Sequence, residues 1–91
     1  MSVTIAGTEF DSVEYDARGD VLYLSVGEPR EPARTLETAE GHAVDYGPDG
    51  RVIGMVLLNV SWTLEHERAL TVTLPEHPAV ADSRELAAAL G

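Results

Sequence analysis

Apolar and polar residues alternate along most of the chain, which is the pattern of a β-strand that buries one of its two faces. In VLYLSV, for example, Leu22, Leu24 and Val26 share one face. Glycine, proline and aspartate separate the alternating segments and mark turns. We therefore predict strand segments at residues 3–5, 13–16, 21–26, 34–38, 42–46, 51–60 and 70–74.

The segment RVIGMVLLNV, at 51–60, is apolar on both faces rather than on one. Such a strand is typical of the centre of a sheet, or of a sheet whose second face is covered by a helix or by another subunit. The predicted faces are Val52, Val56, Leu58 and Val60 on one side and Ile53, Met55 and Leu57 on the other. The pattern favours a homodimer as one way to cover the second face.

Two hairpin sequences resemble each other. VEYDARGDVLYLSV, at 13–26, aligns without a gap with VDYGPDGRVIGMVL, at 44–57. In each copy a tyrosine precedes the loop, a glycine ends it and an apolar strand follows it. The repeat suggests that one hairpin design is used twice in an antiparallel sheet.

Turn chemistry explains most of both hairpin loops. Gly19 and Gly50 occupy the loop position that usually requires a positive φ, which glycine adopts without steric cost. Pro48 suits the first central position of a turn and Asp49 tolerates the second. We predict turn-forming roles for these four residues.

The C-terminal segment ADSRELAAALG predicts a short helix. Asp82 and Glu85 have the spacing of an N-terminal capping box, and Gly91 stands where a C-terminal cap belongs. Leu86 and Leu90 lie on one face, four residues apart. A helix this short is marginal alone in water, so it must pack on the sheet or on a partner. The predicted fold is α+β: an antiparallel sheet of about five to six strands, built from the two hairpins, with this one helix packed on it.

Composition restricts the classes of function. The 91 residues suit a single domain, with a β core at 13–61 and a strand and helix extension at 62–91. Cysteine is absent, which removes disulfides and thiolate metal ligands. The formal charge is -10, and the six basic residues are scattered arginines, so nucleic acid is an unsuitable ligand. A basic protein or a cation suits this charge better.

Our expectations about the cellular compartment and about cofactors rest on features that the sequence does not contain. No apolar stretch approaches the roughly 18 residues of a membrane span. We expect a cytoplasmic protein with no membrane contact. No segment matches a cofactor-binding motif, and we expect no cofactor.

Three aspartates are the candidate metal ligands. Asp16 and Asp20 flank the first hairpin loop, and Asp45 lies beside the second. If both loops lie at the same end of the sheet, their carboxylates converge as Mg²⁺ or Ca²⁺ requires. The alternative is that these side chains close turns onto backbone N–H groups. His42 shares a strand face with Tyr46 and not with Asp45, which argues against a His–Asp pair.

Few other residues are candidates for chemistry. The serines have no nucleophile motif, and His66 and His77 are expected in solvated loops. Trp62 is the only tryptophan. It either anchors a partner or closes the end of the sheet against the helix.

The two hairpins together resemble the prokaryotic family catalogued as domain of unknown function 2283. The resemblance covers about residues 13–61. Its matching positions are Tyr15, Asp16, Asp20, Leu22 and Tyr23, then Gly41, Asp45, Tyr46, Gly50, Val52 and Gly54. It implies a small β-rich fold with no catalytic residues, and it implies an antitoxin-like role. Two departures are Gly47, where the family pattern has aspartate, and the extension at 62–91.

We expect a non-enzymatic interaction module that binds itself or a basic protein, in the antitoxin-like manner that the resemblance implies. Its contact residues would be Trp62, Leu86 and Leu90. The alternative is a divalent-metal-binding domain or metal-dependent enzyme built on the three aspartates. A small-ligand pocket between sheet and helix is a third hypothesis, on which the sequence is silent.

Overall fold

The computed structural model describes residues 2–75 and 78–90 of the chain. These residues contain nine strands and two helices, joined by turns and loops. The elements, in chain order, are β1 (Val3–Ile5), β2 (Thr8–Phe10), β3 (Ser12–Asp16), β4 (Val21–Ser25), β5 (Arg34–Glu37), β6 (Ala43–Tyr46), β7 (Val52–Leu58), α1 (Val60–Glu67), β8 (Ala69–Thr73), β9 (Pro78–Asp82) and α2 (Ser83–Leu90).

A five-stranded antiparallel sheet organises the fold, with strand order β3-β4-β7-β6-β5. β7 lies at its centre because β4 and β6 pair with it on either side. β1–β2 and β8–β9 form two separate two-stranded hairpins. The predicted α+β class, the antiparallel sheet and the short C-terminal helix are confirmed. No helix within these described residues is both long and apolar enough to cross a membrane.

One face of the large sheet packs against the helices and small hairpins, and the core lies between these layers. Leu22, Met55 and Leu57 contribute from the sheet, and each is fully buried. Phe10 of β2 and Leu86 of α2 are fully buried against them in the same apolar cluster. The alternation in the sequence therefore marks this inner face correctly.

The opposite, outer face of the sheet remains open, which differs from the prediction that β7 is buried on both faces. A β-bulge in β7 is part of the reason: Asp45 pairs with Gly54 but Tyr46 pairs with Val52, so Ile53 is the extra residue. Beyond the bulge the faces exchange, and Val52 packs on the core. Leu58, at the other end of the strand, is 38% exposed.

Helix α1 was not predicted. The strand predicted at 51–60 ends at Leu58, and Asn59 adopts a left-handed conformation, φ 53°, from which the helix begins. Only Val60 and Leu64 of the helix are buried, so its apolar pattern is weak. His66, predicted in a loop, lies on this helix.

Other boundaries also differ from the sequence-based prediction. β2 and β9 were not predicted, and the helix predicted from the ADSREL segment begins at Ser83, after β9. The predicted capping by Asp82 concerns a side chain outside the described part. Gly91 and His77 lie outside the described residues altogether.

Candidate functional site

The three candidate metal ligands do not meet. Val21, which follows the first loop, pairs with Leu58 at the end of β7, whereas the second loop leads into the start of β7. The two loops therefore lie at opposite ends of the sheet, and Asp45 is separated from Asp16 and Asp20. Across residues 2–75 and 78–90, no group of three or more histidine, aspartate or glutamate side chains is placed to hold a metal ion.

Asp20 is a structural residue that joins the first hairpin to α1. Its carboxylate accepts hydrogen bonds from the backbone N–H groups of Ser61 at 2.8 Å and Trp62 at 3.1 Å. It also accepts one from the hydroxyl of Tyr15, at 2.7 Å. Asp20 thus supplies the N-terminal cap that Asn59, the residue before the helix, does not make with its side chain.

The pKa of Asp20 reflects this position. Burial alone would raise the pKa of the carboxyl, but the hydrogen bonds from Tyr15, Ser61 and Trp62 stabilise the charged form and hold the pKa below its ordinary value. The same contact with Asp20 raises the pKa of the Tyr15 hydroxyl. The pair therefore behaves as an ionised cap with a neutral donor.

Both loops are held by aspartate side chains. In the first, Asp16 accepts a hydrogen bond from the N–H of Arg18 at 3.0 Å. In the second, Asp49 accepts one from the N–H of Arg51 at 3.1 Å, and Gly50 has φ +83°. The first loop differs from the prediction. Asp20, with φ 56°, takes the left-handed conformation that was expected of Gly19.

The three candidate contact residues occupy different environments. Trp62 is 55% exposed on α1 and stacks on His66, with 4.2 Å between the ring centroids. Leu90 is half-buried against the core. Leu86 is fully buried inside the chain, so the prediction that it contacts a partner is wrong; its regular spacing marked the helix face that packs on the sheet.

His42, the residue before β6, is buried on the side away from the outer face. Its Nδ1 accepts a hydrogen bond from the N–H of Leu58 at 3.0 Å, and burial lowers its pKa. The nearby Glu40 binds the backbone N–H and the hydroxyl of Thr73, and these bonds lower its pKa to about 2. Glu40 therefore ties the segment before β6 to β8, whereas His42 holds the end of β7 within the large sheet.

The outer face of the large sheet holds a groove of about 230 Å³. Rows of paired residues cross four strands beneath it. One row runs Ser12, Ser25, Gly54 and Asp45, and the next runs Glu14, Tyr23, Val56 and Ala43. Pro29 and Arg30, from the loop after β4, form one wall of the groove.

Gly54 makes room for Asp45 at the base of this groove. A Cβ atom on Gly54 would lie 3.1 Å from the carbonyl oxygen of Leu24 and 3.4 Å from Asp45 Oδ2. The other carboxylate oxygen, Oδ1, accepts a hydrogen bond from the Thr35 hydroxyl at 2.7 Å. The side chain of Asp45 therefore leans over the glycine from a fixed position. Both residues belong to the family pattern, and their pairing across the strands is the signal that sequence reasoning missed.

The outer face is acidic and partly apolar. Its exposed apolar side chains are Tyr23, 43% exposed, and Leu58. The strand registers place four carboxylates on this face: Glu14, Asp16, Glu37 and Asp45. In the part of the chain that the structure describes, the one ion pair is Arg51–Asp49, at 3.7 Å, so none of these four carboxylates is neutralised by an ion pair.

The sequence profile of a protein family of unknown function, DUF2283, matches residues 12–61. No curated protein and no solved structure matches the chain. The matched range runs from the first residue of β3 to the first turn of α1. It therefore contains the whole five-stranded sheet, the strands beneath the groove and the contact between Asp20 and Ser61.

Proposed function

The chain belongs to the DUF2283 family of proteins of unknown function, and from this premise we propose that it is a non-enzymatic module that binds a basic protein on the outer face of its large sheet. The family supplies no activity, so the support comes from the surface itself. The observation that carries the proposal is the exposure of Tyr23 and Leu58 among unneutralised carboxylates.

The chemistry of this face suits a protein partner. Recognition surfaces commonly combine an apolar centre, in which aromatic residues are enriched, with a polar rim. Tyr23 and Leu58 would supply the centre here. Half-buried Val56 pairs with Tyr23 across the strands, and both line the groove. Trp62, 55% exposed on α1, is a further exposed aromatic residue that a partner could contact.

Charge selects the kind of partner. The chain carries a formal charge of -10, and four of its carboxylates lie on the outer face. A basic surface is attracted to such a face during encounter, whereas a second copy of this chain is repelled from it. An antitoxin that neutralises a small basic toxin is the narrower form of this proposal, and it rests on the family resemblance.

The test compares matched surface variants in capture from a lysate of the native cell. A double variant, Tyr23→Glu with Leu58→Glu, adds charge to the outer face, and Val80→Glu adds it to β9, where Val80 is 60% exposed. Urea unfolding checks that both variants remain folded. We expect wild type and V80E to retain a basic protein in a salt-sensitive manner, and the double variant to lose it.

Three results of the capture experiment would overturn the proposal. These are capture of no partner by wild type, a partner that the double variant retains fully, or a partner that is itself acidic. Sedimentation of the purified chain supplies the remaining comparison. If the chain is a dimer that only the double variant dissociates, a second copy occupies the outer face and the basic partner is excluded.

A further inference from the structure

We propose that the groove at Asp45 and Gly54 is a subsite for an arginine side chain of the basic partner. This inference rests on the proposed function and names the group that the outer face recognises. The site combines a groove of about 230 Å³, a carboxylate held in place by Thr35, and a glycine beside it that leaves space for a ligand. Charge complementarity identifies the occupant as a cation.

The carboxylate of Asp45 is prepared to accept a donor. Thr35 holds Oδ1, so the orientation of the whole group is set before binding. Oδ2 faces the space that a side chain at position 54 would fill. A donor that enters above Gly54 therefore meets an oriented acceptor, which reduces the entropy lost on binding.

A cation bound in this groove would contact one carboxylate. Glu14 also lines the groove, but it lies on β3, three strand spacings from Asp45 on β6. At about 4.8 Å per spacing their backbones are about 14 Å apart. The head group therefore contacts Asp45, and Glu14 remains near the mouth, where it favours approach of positive charge.

The lining favours guanidinium over ammonium. Ser25 pairs directly with Gly54, and its hydroxyl donates its proton to the carbonyl oxygen of Gly27 at 3.1 Å. The Ser25 oxygen therefore stands as a second acceptor near the Asp45 carboxylate, so two acceptors can face one head group. The planar guanidinium of arginine carries five N–H donors and uses such a set better than the single point charge of lysine. Ile53 and Val56 offer apolar contact for its aliphatic stem.

The arginine already in the wall of the groove does not fill this role. Arg30 donates from Nη1 to the carbonyl oxygen of Val26, at 3.0 Å. It forms no ion pair with Asp45 or Glu14 among residues 2–75 and 78–90. The negative charge of Asp45 thus remains for a partner to neutralise.

The test uses Asp45→Asn, which removes the charge and keeps an oxygen for Thr35. Glu37→Gln, on the same face at the edge strand β5, is the matched control. The probes are the blocked amino acids N-acetyl-arginine methylamide and N-acetyl-lysine methylamide, titrated at constant ionic strength. The readout is the backbone NMR signal of Gly54. We expect a saturable shift with arginine, a weaker one with lysine, loss of the shift in D45N and its retention in E37Q.

Equal shifts with both probes, or equal behaviour of D45N and E37Q, would overturn the subsite. Affinity for the captured basic partner separates this failure from failure of the proposed function. We expect D45N to weaken that affinity by about tenfold or more relative to E37Q. A partner lost in the outer-face double variant but bound equally by D45N and E37Q refutes only the subsite. An Asp45-dependent arginine shift with no captured partner refutes only the proposed function.

Discussion

The two aligned hairpins, β3–β4 and β6–β7, share a sequence design and perform different tasks. In the first, the residue after the loop glycine is Asp20, which reaches α1 and caps it. In the second, the aligned residue is Arg51, whose side chain is 87% exposed. The first hairpin is therefore bound into the fold through its loop, whereas the loop of the second stands free of such a contact.

The strands after the loops differ in the same way. Tyr23 in the first hairpin aligns with Gly54 in the second, and the two positions lie on the same face of the sheet. Tyr23 presents an exposed ring, whereas Gly54 has no side chain, and the side chain of Asp45 lies over it. A repeated hairpin thus provides a structural anchor in one copy and the proposed recognition site in the other, because single side chains decide which contacts each copy makes.

The strongest test of this contrast replaces the two aligned loop residues. Asp20→Ala removes three hydrogen bonds to a carboxylate and places alanine at a left-handed position, so we expect a loss of about 2–3 kcal/mol in the free energy of unfolding. Arg51→Ala is the control and should change it by less than about 0.5 kcal/mol. Urea denaturation measures both, and equal effects would refute the contrast.

The second test replaces each of the two aligned strand residues with alanine. Gly54→Ala brings a methyl group against the Leu24 carbonyl and the Asp45 carboxylate, and we expect a loss of about 1–2 kcal/mol. Tyr23→Ala removes a half-exposed ring and should cost about 1 kcal/mol or less. Thermal and urea unfolding measure the difference. A neutral G54A variant would show that position 54 does not need to be glycine.

A smaller effect isolates the donor to Asp20. Tyr15→Phe removes one hydrogen bond to the carboxylate and keeps the ring, so we expect a loss of about 1 kcal/mol. In the background of Asp20→Ala the same change should have little effect, because its partner is already gone. This double-mutant cycle, followed by urea unfolding, measures the coupling. Fully additive losses would mean that Tyr15 stabilises the fold by another contact.

The smallest expected effect is a difference in how stability depends on pH. The folded pKa of Asp20 lies below its unfolded value of 3.8, so the carboxylate stabilises the fold above that pH, and this stabilisation is lost as the pH falls toward the folded pKa. We expect wild type to lose more stability than Asp20→Asn between neutral pH and pH below 3.8. Glu40 contributes a parallel loss from 4.5 down to about 2, so Glu40→Gln serves as the comparison. Identical acid profiles of wild type and D20N would contradict the cap.

Much of the β architecture could be predicted because its cause is local. Leu22 and Leu24 alternate with polar or exposed neighbours, and both are buried in the sheet. The loop at Gly50 also forms from adjacent residues alone. The inner faces of the large sheet, its antiparallel hairpins and the short α2 follow from such patterns, in which neighbours one to four residues apart carry the information.

The site and α1 could not be predicted, because their causes lie far apart in the chain. Helix α1 buries only two side chains, and its cap comes from Asp20, about 40 residues earlier. The outer groove depends on the bulge at Ile53 and on the pairing of Asp45 with Gly54. One extra residue in a strand exchanges its faces, and a two-residue alternation read without the bulge assigns Val52 to the wrong side.

The sequence by itself determined the five strand segments of the large sheet, the turn at Gly50, the helix near the C-terminus, the strong negative charge and the membership of the family. Only the tertiary structure decided that the two loops lie at opposite ends of the sheet, which separates Asp45 from Asp16 and Asp20. It also decided which face stays open. The physical reason is that periodicity and turn propensity act between near neighbours, whereas strand order, register and capping across the chain depend on which distant segments pack together.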